Sequence, residues 1–164
     1  MYMRYLMTRH SEQEKLQLEH DAGKLFLRCY EHRFGIPMRH IWHNQPSKPD
    51  ISCYRNEHLY ASETEAMAVL GRPLSISMQR DLADMAMQPS EQRLHCALQR
   101  LLEQKGKKHY QSEQTWLLIR NASTIWHKAD FDAELQNITI PLTHPFQQIW
   151  LLCDFYQGEL LQLF

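Results

Sequence analysis

Three acidic residues occupy positions where strand geometry would let them act together. Asp50 follows Pro49 at the start of an extended segment, Ile51 to Tyr54. Glu63 and Glu65 lie two apart in an alternating segment, Leu59 to Glu65 (LYASETE). Side chains alternate between the faces of a strand, so both glutamates share a face with Leu59 and Ala61. Carboxylates on an otherwise apolar face cost free energy unless something pairs with them. A divalent cation is one such partner. Oxygen ligands suit Mg²⁺ or Mn²⁺, held by one or two carboxylates together with waters and a substrate phosphate. Each acid also has a plainer role open to it. An aspartate after proline is a common turn residue, and charges on an edge strand discourage aggregation.

The elements that must carry these residues begin with a helix expected over residues 11 to 34. Ser11 and Glu14 form a capping box at its start, and Gly35 and Pro37 stop it. Its apolar stripe reads Leu18, Ala22, Leu25, Phe26, Cys29. Three extended segments follow as a meander: Met38 to His43, Ile51 to Tyr54 and Leu59 to Glu65, with a turn over Asn44 to Pro49. The stretch Ala66 to Gln88 is rich in Met and Ala and reads as helix in pieces, broken at Gly71-Arg72-Pro73. Its methionines (Met67, Met78, Met85, Met87) suit core gap-filling better than a partner groove. A helix is expected from Ser90 to about His109. Its stripe Leu94, Leu98, Leu101 continues as Lys105 and Lys108, two lysines on an inward face. They either reach a site or snorkel past the end of the apolar stripe.

The runs Trp116 to Ile119 and Ile149 to Cys153 are continuously apolar, as in strands buried on both faces of a parallel sheet. They should be adjacent. A short helix around Asp130 to Gln136, capped by Asp130, lies between them. A turn at Tyr156-Gln157-Gly158 leads to an edge strand, Leu160 to Phe164. The order is helix, three-strand meander, helix, strand, helix, strand, strand. This is a mixed α/β arrangement: a central mixed sheet of about five strands flanked by helices, in one domain spanning residues 1–164.

At the acidic residues the chain resembles the PD-(D/E)xK nuclease superfamily, whose fold is restriction-endonuclease-like. The matching residues are Lys48-Pro49-Asp50-Ile51, then Ala61-Ser62-Glu63-Thr64-Glu65, with Glu63 thirteen positions after Asp50. The segments Lys105 to Tyr110 leading into Trp116 to Ile119, and Pro145 to Leu152, are similar to those of small bacterial members. The resemblance implies that Asp50, Glu63 and the backbone carbonyl of Thr64 are ligands to Mg²⁺ or Mn²⁺. Glu19, from the first helix, is the further glutamate that some members use, although by itself it suits a solvated helix face. The chain departs from the pattern at Glu65, which stands where the family usually carries lysine. A glutamate there orients water or holds a second metal, but supplies no positive charge. The resemblance therefore requires a lysine from elsewhere, and Lys105, Lys108 and Lys48 are the candidates.

Composition bounds these readings. A chain of 164 residues buries roughly 70% of its unfolded surface and needs no staple. The 18 basic and 19 acidic residues give a net charge of −1, so any contact with nucleic acid must come from a local patch. No apolar run reaches the length of a membrane span, and the first residues lack a secretory signal pattern, so the expected location is cytoplasmic. Cys29, Cys53, Cys96 and Cys153 form no CxxC pair and read as reduced core thiols. His40 and His43 point to opposite faces of a strand, which leaves no zinc spacing. Two function classes result: a metal-dependent nuclease acting on DNA or RNA, or a nuclease-like fold without catalysis that binds protein or nucleic acid. A homodimer is compatible with either.

Overall fold

The computed structural model describes residues 2–43, 51–55, 72–79, 90–110, 114–121, 126–154 and 158–164. Its elements, numbered in chain order, are α1 (Tyr2–Phe34), β1 (Met38–His43), β2 (Ile51–Arg55), β3 (Arg72–Gln79), α2 (Ser90–Gly106), β4 (Thr115–Arg120), α3 (Lys128–Glu134), β5 (Gln148–Asp154) and β6 (Glu159–Gln162). The six strands form one sheet in sequence order. β1, β2 and β3 pair antiparallel, β3, β4 and β5 run parallel, and β6 returns antiparallel at the edge. The molecule is thus a mixed α/β protein whose described residues form a six-stranded sheet.

The two apolar runs lie where their composition puts them. Leu117 is in register with Ile149 and Leu118 with Trp150. Both runs are buried from end to end because each face is covered. On one face Trp116, Leu118, Trp150 and Leu152 pack against Phe26 and Tyr30 of α1. On the other, Leu117, Ile119, Ile149, Leu151 and Cys153 pack against Leu94, Leu98, Leu101 and Leu102 of α2 and Phe131 of α3.

Four sequence readings need correction. First, α1 begins before Ser11, so the capping box lies inside a helix that its Met, Leu and Arg neighbours continue. Its end is as expected: Gly35 has φ +68°, and its amide donates to the Glu31 carbonyl at 2.8 Å. Second, the buried face of α1 is rotated. Glu19, Ala22, Phe26, Leu27 and Tyr30 point inward, and Leu18 is exposed. The aromatic rings set this phase, with Tyr30 5.1 Å from Trp116 and 5.6 Å from Trp150.

Third, Arg72–Gln79 is a strand rather than a piece of helix. Every residue of β2 is in register with it, from Ile51 with Ile76 to Arg55 with Arg72. With β1 on its other side, β2 has both neighbours, and neither is Leu59 to Glu65, a segment outside the described residues. The alternation Leu74-Ser75-Ile76-Ser77-Met78 carries the strand period. Pro73 sits ahead of Ser75, where β4 joins, so its missing amide proton interrupts no pairing with β4. Fourth, α3 is capped at His127. Asp130 lies three residues inside, and its carboxylate accepts from the His127 amide at 2.7 Å.

Candidate functional site

The sheet has two distinct ends. β1, β3, β4 and β5 all run in one direction and finish at His43, Gln79, Arg120 and Asp154. In open α/β sheets ligands sit beyond such carboxyl ends. β2 runs the other way, so its first residue, Ile51, lies at this end, in register with His43. Asp50 precedes Ile51 by one position and itself lies outside the described residues, as do Lys48, Glu63, Thr64 and Glu65. The connection that holds Glu63, Thr64 and Glu65 leaves β2 at Arg55 and enters β3 at Arg72. Those two residues are at the opposite, amino end of the parallel strands, roughly 14 Å along β2 from Ile51. The strand pairing therefore supplies no short hairpin that sets Glu63 across from Asp50.

Glu19 belongs to the carboxyl end. α1 runs antiparallel to the parallel strands. Its last residue, Phe34, lies 5.9 Å from Trp150 near the start of β5, and Leu25 lies against Gly158 in the turn after β5. Glu19 is almost two turns further on. It is 7% exposed, on the inward stripe, rather than solvated beside Leu18. Lys15, one turn earlier, brings its ammonium to 3.6 Å from Glu19 Oε1. This is a long contact from a half-exposed lysine, and it leaves the carboxylate capacity for further ligands.

Lys105 and Lys108 lie elsewhere. α2 carries the chain from the carboxyl end of β3 to the amino end of β4, so its last turn is at the amino end. Lys105 is buried there and Lys108 is exposed. α2 also covers the face opposite α1. Glu19 and Lys105 are thus separated by the thickness of the sheet as well as by its length. The structure does not bring either lysine to the end where β2 begins.

Asn121, to which the sequence reading gave no structural role, is buried just after β4. Its Nδ2 donates to the carbonyls of Trp126 (2.9 Å) and Cys153 (3.0 Å), and its amide donates to the Leu152 carbonyl. It ties the end of β4 to β5 and to the loop before α3. An Asn directly after an apolar strand was the available signal. The four cysteines form no disulfide. Burial pushes the Cys153 thiol up to about 12, with Glu159 adding to the shift, and burial also raises Cys29. Neither is poised as a nucleophile.

Among the described residues no group of three or more His, Cys, Asp or Glu is arranged to hold a metal ion. No described helix is long and apolar enough to cross a membrane. Comparison with protein-family models, curated proteins and solved structures finds no match to this chain.

Proposed function

We propose that the chain is a metal-dependent phosphodiesterase of the PD-(D/E)xK type, acting on DNA or RNA. One observation carries the reading: a helix, three antiparallel strands, a crossover helix and a strand parallel to the third follow one another in a single sheet. That succession supports the restriction-endonuclease-like core which the Pro49-Asp50 resemblance implies. In this reading Asp50 and Glu19 ligate Mg²⁺ or Mn²⁺ beyond the carboxyl ends of the strands. For Glu63, the Thr64 carbonyl and Glu65 to join them, the connection that leaves β2 at Arg55 and enters β3 at Arg72 must fold back from the amino end of the parallel strands to the carboxyl end. Such an ion, when bound, lowers the pKa of a water and polarises the phosphoryl group. The required cation is Lys48, next to Pro49-Asp50 in the chain, rather than Lys105 or Lys108.

A second reading is a nuclease-like binding module without catalysis, and one observation favours it. β3 occupies the place of the motif strand, yet its sequence, Arg72-Pro-Leu-Ser-Ile-Ser-Met-Gln79, contains no acid and no lysine. The test is cleavage of plasmid, linear duplex, single-stranded DNA and RNA with Mg²⁺ or Mn²⁺. Cleavage that is lost in Asp50→Ala, with folding intact, supports the enzyme. No cleavage of any substrate with either ion leaves the binding module.

A further inference from the structure

The buried stripe of α1 does not stop where the covered part of the helix begins. Tyr30, Phe26, Gly23 and Glu19 are all buried, and their spacing alternates between four and three residues. The same spacing continues toward the amino terminus through Leu16, Glu12, Arg9 and Tyr5, all within the helix. Residues 2–18 extend α1 by about 25 Å ahead of Glu19. Residues 12–18 are exposed, and Leu16 is 46% exposed. A helical stretch with few tertiary contacts is marginal in water, and packing is what ordinarily stabilises it. Charge is segregated along this stretch. Residues 2–11 hold Arg4 and Arg9 and no acid, whereas residues 12–19 hold Glu12, Glu14 and Glu19 against Lys15. Lys15 already contacts Glu19. Apolar residues sit at the two ends, Tyr2 to Met7 at one and Leu16 and Leu18 at the other, with none from Thr8 to Lys15.

We infer that the first half of α1 pairs antiparallel with the same stretch of a second copy of this chain. The stripe Tyr5, Arg9, Glu12, Leu16 is its own complement when reversed. The register that sets Arg9 of each chain level with Glu12 of the other also sets Tyr5 level with Leu16. Each of these matches occurs twice, about a two-fold axis between residues 10 and 11. Parallel pairing would instead set arginine level with arginine and glutamate with glutamate. Charged residues on such a seam fix orientation and register. A foreign helix would have to reproduce both the charge order and the apolar ends, which a second copy supplies by symmetry. The pairing is independent of the proposed catalysis.

The experiment is sedimentation equilibrium of the full chain over rising concentration. The mass should move from one chain to two, and added salt should weaken the association. Arg9→Glu and Glu12→Arg each set like charges level twice, so either alone should weaken self-association about tenfold or more. An equimolar mixture of the two variants should associate like the parent, because opposite charges meet again. Leu16→Asp should also weaken the pair. These positions lie ahead of the part of α1 that covers the sheet, so in dilute solution the variants should unfold at the parent's urea midpoint. In the dilute parent, amides of residues 2–18 should exchange quickly, and they should slow as concentration enters the pairing range. The inference is overturned if the mass stays that of one chain at hundreds of micromolar. It is also overturned if a dimer forms that Arg9→Glu and Leu16→Asp leave unchanged, which places the contact on another surface. Failure of the mixed variants to associate overturns the antiparallel register. Because cleavage is not the readout, a failed nuclease assay leaves this result unaffected.

Discussion

Single residues at the carboxyl end hold that end together, and two of them can be tested directly. The Asn121 side chain is the donor for two carbonyls from separate segments. In Asn121→Leu both carbonyls lose their partner in a buried place, which should cost about 2–3 kcal/mol in urea unfolding. A loss below half a kcal/mol would show that water replaces the amide. Cys153 gives a pH signature. Its thiol ionises near 8.5 in an unfolded chain and is pushed up to about 12 in the folded one. At neutral pH both states hold the proton, so this group contributes no pH dependence. Above about pH 8.5 the unfolded state binds fewer protons, and stability falls as pH rises toward 12. Cys153→Ala should therefore show a flatter decline of urea midpoint between about pH 8 and 10.5 than the parent chain. Asp50 draws attention in the sequence because proline precedes it. Which residues could join it depends on a strand pairing that local spacing does not determine.

At the level of elements, α1 shows how a correct periodicity can still have the wrong phase. Leu18, Ala22, Leu25, Phe26 and Cys29 fit a helical stripe as well as the observed face does, and Ala22 and Phe26 belong to both. What selects between them is volume: Phe26 and Tyr30 fit against the two tryptophans, and Leu25 and Cys29 fall at the margin. Phe26→Ala should accordingly cost about 3–5 kcal/mol, and Leu25→Ala clearly less. Glu19 is inward for the same reason, and no local feature announced it. β3 was missed because Gly71 and Pro73 read as breaks in a helix, whereas the alternation after Pro73 is that of a strand. β4 and β5 were legible because continuous apolar runs have few other homes. The turn into β6 is equally specific. Gly158 has φ +71°, and a methyl group there would lie 2.6 Å from Cys29 Sγ. Gly158→Ala should cost about 1–3 kcal/mol through backbone strain and the displaced thiol. An unchanged thermal midpoint would mean that α1 yields at Cys29.

Across the whole molecule, length is unevenly shared. A helix of 33 residues is about 50 Å long, while a strand such as β1 spans about 20 Å. Residues 12–18 are exposed all along this span of α1, ahead of the part that covers the sheet. Amide exchange should be slow around Phe26 and Tyr30 and progressively faster toward Glu12, because only the covered part shares the global opening free energy. Uniform protection along the helix would require a partner on its first half. The two covered faces of the sheet have a different consequence. A one-residue slip of β4 against its neighbours would exchange Trp116 and Leu118 for Leu117 and Ile119, and apolar groups would still meet apolar groups. Polarity cannot forbid that error here. Only shape can, since two indoles fit the α1 side and the α2 side is lined with leucines. The alignment of these central strands is thus stored in the sizes of side chains, and an exchange of Trp116 with Leu117, which conserves composition and hydrophobicity, should erase it.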